Sequence, residues 1–161
     1  MHMTDIRIGN GYDVHATAAG LPMWLGGVLI DAPIGFIAHS DGDVAIHALC
    51  DALLGSLALG DIGHFFPDTS DEWKGADSKL LLAKVVDMVA EQGWSVGNVD
   101  ITIALQAPKI GKYIGQMRTV LAPILKVDPD RVSVKATTTE HLGFVGRGEG
   151  CAVWATATVV K

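Results

Sequence analysis

The sequence predicts an α+β fold, that is a mixed α/β single domain over residues 1–161, with one sheet and helices on one side of it. The length of 161 residues corresponds to one domain and is too short for two of full size. Apolar and polar residues alternate as in a strand over residues 98–106, whereas apolar residues recur at helical spacing over residues 41–59 and 81–93. No repeat or linker-like stretch separates these segments, so we expect them to share one core.

The first half of the chain contains two predicted strands followed by one predicted helix. The strands are predicted over residues 7–15 and 23–30. Ser40-Asp41-Gly42-Asp43 has the form of a capping box, in which side chains bind unpaired N–H groups at the start of a helix. We therefore predict a helix from about residue 41 to residue 59. It is apolar nearly all round and Gly60 can end it in a left-handed conformation, so we expect it to lie inside the assembly.

The second half of the chain alternates helices and strands. A second, amphipathic helix is predicted up to Gly93, and the strand of residues 98–106 follows it, with apolar and polar residues on opposite faces. A third helix is predicted over residues 113–126, and Pro123 is expected to kink or end it. Residues 132–137 and 152–160 are predicted strands, and a hairpin between them is one interpretation of the loop that joins them.

Composition excludes several classes of function. With 12 Lys and Arg against 18 Asp and Glu, the formal net charge is −6, the wrong sign for a protein that binds nucleic acid through its phosphates. No apolar run is long enough to cross a membrane, and Asp5 and Arg7 argue against a secretory signal, so we expect a cytoplasmic protein without membrane or nucleic-acid partners. Because 49% of the residues are hydrophobic and only 19% are charged, we expect an oligomer. Cys50 and Cys151 are expected to be buried rather than to bind a metal.

Three residues form a candidate metal site. Asp13 and His15 lie two apart on a predicted strand, so their side chains project from the same face. His47 lies inside the most apolar predicted helix, where an imidazole needs a partner. Together they form a set of one oxygen and two nitrogen ligands, suited to a divalent metal such as zinc with the fourth position open. The alternative is a hydrogen-bonded core histidine beside an unrelated pair on the strand.

Carboxylates flank His47 on its predicted helix. Asp43 and Asp51 lie four residues to either side of it, and either one is a candidate to orient the imidazole. The alternative role for Asp43, together with Ser40, is to cap the helix. His39 leads into the same helix, whose N-terminus favours nearby anions.

Three loop segments carry groups that bind phosphate or sugar. Residues 61–63 and 67–69 place two carboxylates on a loop with Gly and Pro, which suits hydroxyl groups and equally suits turn formation. Residues 106–109 present backbone groups and Lys109, which is otherwise an ordinary solvated lysine. Residues 135–150 offer hydroxyls, a carboxylate and a cation among glycines that allow close approach of the backbone to a ligand.

Taken together, these segments resemble one protein family. The motifs that carry the resemblance are Arg7-Ile8-Gly9, Tyr12-Asp13-Val14-His15, Ala38-His39-Ser40-Asp41-Gly42-Asp43 with His47, Asp61-Ile62-Gly63, Phe66-Pro67-Asp68-Thr69, Gln106-Ala107-Pro108-Lys109 and residues 135–150. Their order and intervals, over nearly the whole chain, are similar to those of the 2-C-methyl-D-erythritol 2,4-cyclodiphosphate synthases of the non-mevalonate isoprenoid pathway. The resemblance implies a homotrimer with an active site at each subunit interface. It also implies conversion of 4-diphosphocytidyl-2-C-methyl-D-erythritol 2-phosphate, a cytidine diphosphate compound, into the cyclic diphosphate and CMP.

The resemblance further implies roles for individual residues. Asp13, His15 and His47 would hold Zn2+, and Glu140 would hold a second ion, Mg2+ or Mn2+, that bridges the diphosphate. The implied catalytic residues, which would stabilise the transition state, are His39 and Thr138. The implied substrate-binding residues are Ser40, Asp61, Ile62, Gly63, Asp68, Leu105, Lys109, Ile110, Gly111, Thr137, Phe144 and Arg147.

Within that set, the resemblance places Ser40 and Asp68 on the methylerythritol part of the substrate and residues 61 and 63 on the ribose. Residues 105–111 of a neighbouring copy would surround the cytosine, with Lys109 near phosphate, and Phe144 and Arg147 would line a cavity on the trimer axis. Gly111 departs from the family pattern, in which many members carry an apolar side chain, and this puts nucleotide affinity in question. Asn10 also departs from the pattern, at a position that is not implied to bind a ligand.

The residues by themselves leave two other functions open. A metal-containing phosphohydrolase would use the open position of the zinc to activate water and release inorganic phosphate. A trimeric ligand-binding module would carry a structural zinc and catalyse nothing.

Overall fold

A computed structural model describes residues 4–67, 69 and 71–161 of the chain. The strands of this part are β1 (Ile6–Ala19), β2 (Met23–Leu25), β3 (Val28–Ile30), β4 (Ile34–Phe36), β5 (Ser95–Ala104), β6 (Val132–Thr137) and β7 (Gly150–Val160). The α-helices are α1 (Val44–Ser56), α2 (Ile62–Phe65), α3 (Ser78–Glu91), α4 (Ile114–Leu125) and α5 (Gly143–Gly146). The predicted mixed α/β fold is thereby confirmed.

One five-stranded sheet, in the order β4-β1-β7-β5-β6, organises the molecule, and β2 and β3 form a separate two-stranded sheet. Strands β1 and β7 pair antiparallel from Ile6 opposite Val160 to Ala16 opposite Gly150. Strand β5 pairs antiparallel with β7 on one side and parallel with β6 on the other. The hairpin considered between the last two strands is therefore wrong, because β5 lies between them and the chain crosses over it to reach β7.

Helix α1 lies directly against the middle of this sheet because β1 has no side chains at the contact. A Cβ atom on Gly9 would lie 1.7 Å from the carbonyl oxygen of Ala52, and one on Gly11 would lie 1.8 Å from that of Ala48. These are overlaps that only glycine avoids. All residues of α1 except Asp51 and Gly55 are buried, as the apolar sequence of this segment predicts.

The opposite face of β1 and β7 carries apolar side chains that no element of the described chain covers. Even-numbered residues of β1 point away from α1, since residues alternate along a strand and the odd-numbered glycines face the helix. Ile6, Ile8, Tyr12 and Trp154 are 58%, 68%, 49% and 45% exposed. The rings of Tyr12 and Trp154 contact each other with centroids 5.2 Å apart. We call these four residues the open sheet face.

Helix α1 is shorter than the sequence predicts. Asp43, not Ser40, is its N-cap: Asp43 Oδ1 accepts hydrogen bonds from the backbone N–H of Ile46 (3.0 Å) and Gly26 (2.9 Å), and Oδ2 accepts one from Gly27 (2.7 Å). The helix therefore begins at Val44 rather than at residue 41. It ends at Ser56, and the left-handed residue that follows is Ala58, with φ 56°, ahead of the predicted Gly60.

The single strand predicted over residues 23–30 is wrong. Gly26 and Gly27 have φ of 61° and 78°, so the chain turns there and β2 pairs antiparallel with β3. This turn is the one that Asp43 binds, so the small sheet is tied to the start of α1. Strand β4 and the one-turn helices α2 and α5 were not predicted, because elements of three or four residues have too little periodicity to detect.

The later elements lie close to their predicted positions. Strand β5 buries Val99, Ile101 and Ile103, as its alternation indicates. Pro123 lies in the last turn of α4, which ends at Leu125 before the left-handed Lys126 (φ 60°).

Both cysteines are buried and free, as predicted. Burial raises the pKa of the Cys50 thiol and raises that of Cys151 to about 12. Neither thiol is therefore an activated nucleophile. Among the described residues, no helix combines the length and apolarity needed to span a membrane.

Candidate functional site

Asp13, His15 and His47 converge at the end of the contact between β1 and α1. Asp13 Oδ2 lies 3.4 Å from His15 Nε2 and 3.3 Å from His47 Nδ1. The two imidazole nitrogens are 3.2 Å apart. One ligand atom from each residue can be chosen so that all three lie within 4.8 Å of one another.

The same contact that buries α1 brings the three residues together. Asp13 and His15 continue the odd-numbered series of β1 after Gly9 and Gly11, so they project toward α1. His47 lies one residue before Ala48, whose carbonyl oxygen meets Gly11. The close approach that the glycines allow therefore sets the distance between the strand ligands and the helix ligand.

The geometry of the cluster fits a divalent cation. Asp13 Oδ2 is buried and has no hydrogen-bond partner among the described residues, although two imidazole nitrogens lie within 3.4 Å of it. A buried acceptor without a donor is costly. One carboxylate oxygen and two imidazole nitrogens that converge on one point are a ligand set suited to zinc or a similar metal.

The electrostatics of the cluster also favour a positive charge at its centre. Burial lowers the pKa of the His47 imidazole, but the Asp13 carboxylate raises it, with smaller contributions from Asp43 and Asp41, and the net pKa is raised. A divalent cation would supply the positive charge while the imidazole stays neutral.

Neither of the carboxylates predicted to orient His47 does so. The oxygens of Asp43 accept from three backbone N–H groups, and Asp51 Oδ1 accepts from the backbone N–H of Ile62 at 2.8 Å. His47 Nε2 instead lies 2.9 Å from the hydroxyl of Ser78, at the start of α3, and 3.4 Å from that of Ser40. The sequence contains no signal for the Ser78 contact, because the two residues are 31 positions apart.

A cavity of about 360 Å³ opens from the cluster, and we call it the histidine cavity. The predicted site residues that line it are Asp13, His15, His39, Ser40, His47, Ile62 and Gly63. Asp61 does not line it; its Oδ1 caps α2 by accepting from the backbone N–H of His64 at 3.1 Å. The prediction for Asp68 lies outside the described residues.

An aromatic wall closes one side of the histidine cavity, and sequence reasoning did not find it. Phe66 and Trp73 line the cavity and contact each other edge to face, with ring centroids 4.9 Å apart. The ammonium of Lys84, on α3, lies 4.4 Å from the centroid of the Trp73 ring. Three large aromatic residues, Phe65, Phe66 and Trp73, in a Gly- and Pro-containing loop are the signal that this wall left in the sequence.

Six further predicted site residues line a second cavity of about 510 Å³, which we call the loop cavity. The predicted residues that line it are Leu105, Lys109, Ile110, Gly111, Thr137 and Thr138. They meet because β5 and β6 are parallel, so the carboxyl ends of both strands lie at the same edge of the sheet. Thr138 therefore lies in the loop cavity, and not in the histidine cavity with His39.

Glu140, Phe144 and Arg147 line neither cavity within the one chain. Glu140 is exposed and has a left-handed backbone (φ 54°) in the loop after β6. Phe144 is 37% exposed on α5. Arg147 is exposed and forms an ion pair with Glu149, with Nε 2.8 Å from Oε1.

Comparison with known proteins adds an independent finding. The model of the YgbB family matches residues 6–160. The 2-C-methyl-D-erythritol 2,4-cyclodiphosphate synthase of Pseudomonas syringae pv. syringae (strain B728a) is 57% identical over 156 residues, which cover 97% of this chain and 99% of that protein. The solved structure of the bifunctional IspDF from Campylobacter jejuni has a TM-score of 0.94 at 44% identity, covering 98% of this chain and 43% of that one. The CDP complex of IspF from Plasmodium falciparum has a TM-score of 0.85 at 31% identity, covering 99% of this chain and 98% of that one.

Proposed function

The chain belongs to the YgbB family, and from this premise we propose that it is a 2-C-methyl-D-erythritol 2,4-cyclodiphosphate synthase. It would act on 4-diphosphocytidyl-2-C-methyl-D-erythritol 2-phosphate. The observation that carries this proposal is the convergence of Asp13, His15 and His47 at one end of a cavity that His39 and Ser40 also line. The relatives compared above supply the substrate class: one is named as this synthase, and one was solved with CDP.

The reaction needs no nucleophile from the protein. An oxygen of the 2-phosphate attacks the β-phosphorus of the same molecule; a new P–O bond forms, the bond from that phosphorus to the bridging oxygen breaks, and CMP leaves with the bridging oxygen. The attacking phosphate is already an anion at neutral pH, because its second pKa is about 6. The difficulty is repulsion, since two unit charges about 4 Å apart cost about 4 kcal/mol at an effective dielectric constant of about 20.

The chain has few cations with which to offset that repulsion. Its net charge is −6, and the described residues that line the histidine cavity include neither lysine nor arginine. The Asp13, His15 and His47 cluster would hold Zn2+, which when bound supplies a Lewis acid that polarises the phosphate. Glu140 would hold the second ion, Mg2+ or Mn2+, at the diphosphate.

The other residues of the histidine cavity would bind and orient the substrate. His39 and Ser40 lie beside the metal cluster, where an imidazole and a hydroxyl can donate to phosphate or sugar oxygens. Phe66 and Trp73 present an apolar wall to the methyl-bearing carbon chain and exclude water from it. Holding both ends of the bent substrate in place would lower the barrier to ring closure through orientation.

The division of the predicted residues between two cavities supports a composite site built from more than one copy. The open sheet face is apolar and uncovered, so it is suited to pack against other copies of the chain. We propose a homotrimer in which the loop cavity of one copy completes the histidine cavity of the next. The base would then lie near residues 105–111 and the phosphates near Lys109 and Thr138. The two free, buried cysteines fit the reducing cytoplasm as the proposed location.

Phosphorus NMR on the purified protein tests the proposed function. With the cytidyl substrate, Zn2+ and Mg2+, we expect signals of the cyclic diphosphate and CMP in equal amounts. Release of inorganic phosphate would instead identify a phosphohydrolase, and an unchanged spectrum would identify a non-catalytic binding module. Sedimentation equilibrium on the same sample is expected to give the mass of three chains.

A further inference from the structure

A series of hydrogen bonds connects the metal cluster to the protein interior through Ser78. The Ser78 hydroxyl lies 2.9 Å from His47 Nε2 and also contacts Asp41 Oδ1. Ser78 is only 1% exposed, so its hydroxyl must find its hydrogen bonds inside the protein. Asp41 holds the serine in place, since its Oδ2 accepts the backbone N–H of Ser78 at 2.9 Å.

Counting protons along this series determines which atom donates to which. A serine hydroxyl has one proton to donate, whereas a carboxylate only accepts. Both oxygens of Asp41 already accept from the backbone, Oδ1 from Asp43 at 3.1 Å and Oδ2 from Ser78. The Ser78 proton is therefore donated to Asp41 Oδ1, and Ser78 Oγ is left as an acceptor for His47 Nε2.

The protonation state of the other imidazole nitrogen of His47, Nδ1, follows from this assignment. A neutral imidazole carries one N–H, so when Nε2 is the donor, Nδ1 carries a lone pair. That nitrogen is the one that lies 3.3 Å from Asp13 Oδ2 and 3.2 Å from His15 Nε2.

We propose that Ser78, held by Asp41, is a positioning residue that fixes the tautomer and orientation of His47, so that Nδ1 faces the bound ion. The proposal rests on the metal site of the proposed function. Ser78 is the closer partner of Nε2, at 2.9 Å against 3.4 Å for the Ser40 hydroxyl, which also accepts the backbone N–H of Gly42. Partners of this kind behind a metal ligand contribute to metal affinity by holding the ligand ready to bind.

Zinc affinity of the metal-stripped full-length protein tests the proposal without the enzyme reaction. The probe is Zn2+ alone, in competition with a chromophoric chelator. Ser78→Ala is expected to weaken zinc binding by about 10- to 100-fold, the usual loss when such a partner is removed. Ser78→Thr keeps the hydroxyl and is expected to restore most of the affinity. Ser56→Ala is the matched control: Ser56 is also buried (6% exposed), and its hydroxyl donates to the carbonyl oxygen of Leu53 at 2.7 Å, within α1.

A second measurement reads the tautomer directly. In the zinc-loaded protein with 15N-labelled histidine, NMR is expected to show a protected proton on Nε2 of His47 and none on Nδ1. In Ser78→Ala that proton is expected to exchange faster with water. Observation of zinc on Nε2 in the unchanged protein would overturn the proposal.

The remaining outcomes separate this proposal from the proposed function. If the unchanged protein binds no zinc, the proposed metal site fails and this inference fails with it. If it binds zinc and Ser78→Ala binds equally well, or if Ser56→Ala weakens binding as much as Ser78→Ala does, the proposal for Ser78 alone is overturned. If Ser78→Ala does not fold, zinc binding is measured in Asp41→Asn instead. Weaker zinc binding in that folded variant supports the proposal, and unchanged binding refutes it.

Discussion

The two cavities of this protein are held in place in different ways. Every proposed metal ligand in the histidine cavity comes from the contact between β1 and α1, where glycines bring the strand and helix backbones together. The loop cavity is lined by the loop that follows β5, the carboxyl end of β6 with Thr138 after it, and the first residue of α4. No described atom lies within 4 Å of the position that a Cβ of Gly111 would take. A metal ion requires ligand atoms at fixed distances, whereas a nucleotide base can bind to a loop through shape and backbone groups. The closest packing of backbone on backbone therefore lies beside the proposed metal ligands, whereas the loop of the proposed base site leaves room for a side chain at Gly111.

The largest effect is expected from removing the helix ligand of the histidine cavity. His47→Ala should reduce the zinc content of the purified protein strongly and lower turnover by about 1,000-fold, equivalent to about 4 kcal/mol of transition-state stabilisation. Metal analysis and phosphorus NMR measure the two effects. His64→Ala, on the exposed surface of α2, is the control and should change neither. An unchanged zinc content in His47→Ala would contradict the ligand assignment.

A smaller loss of turnover is expected from changing Glu140, which lies outside both cavities. Glu140→Gln should lower turnover by about 100-fold, or about 2.7 kcal/mol, because a neutral amide holds Mg2+ less well than a carboxylate. Zinc content should stay at the level of the unchanged protein, and added Mg2+ should no longer stimulate turnover. Glu91→Gln, at the exposed end of α3, is the control. Loss of both ions together would show that the two proposed sites are not separable.

A matched pair of glycine substitutions compares the two cavities directly. Gly11→Ala places a Cβ 1.8 Å from the carbonyl oxygen of Ala48, so α1 must move away from β1. We expect a loss of about 1–3 kcal/mol in the free energy of unfolding, as for other overpacked cores, and weaker zinc binding. Gly111→Ala meets no atom within 4 Å and should leave both quantities unchanged. Urea unfolding and zinc titration measure them; equal effects at the two positions would remove the contrast between the cavities.

The smallest effect is expected at the aromatic wall. Lys84→Ala removes the ammonium that lies 4.4 Å from the Trp73 ring centroid, and Lys84 is not among the residues of the metal cluster. An exposed cation–π contact contributes about 0.5–1 kcal/mol, so KM for the substrate should rise about two- to fivefold while kcat is unchanged. Lys126→Ala, whose ammonium lies 3.8 Å from exposed Asp87, is the control. A fall in kcat would show that Lys84 acts in the chemical step.

The candidate metal site was predictable because it depends on two local periodicities. Residues two apart on a strand share a face, which paired Asp13 with His15, and a polar residue inside an apolar helix indicated that His47 needs a partner. The hairpin at Gly26 and Gly27 was missed because a three-residue strand gives no usable pattern. The orienting contact of His47 was assigned to the wrong residues because neighbours on the same helix were considered, whereas Ser78 comes from another helix.

Patterns within single elements of the sequence were enough to predict the mixed α/β class, the burial of the first helix and the shared face of Asp13 and His15, and they marked His47 as a candidate third ligand. The folded chain was needed to show that most of the predicted substrate residues line either the histidine cavity or the loop cavity, and that the Ser78 hydroxyl contacts His47. The order of strands in a sheet and the contacts between distant helices depend on how whole faces pack. No local spacing in the chain encodes that packing.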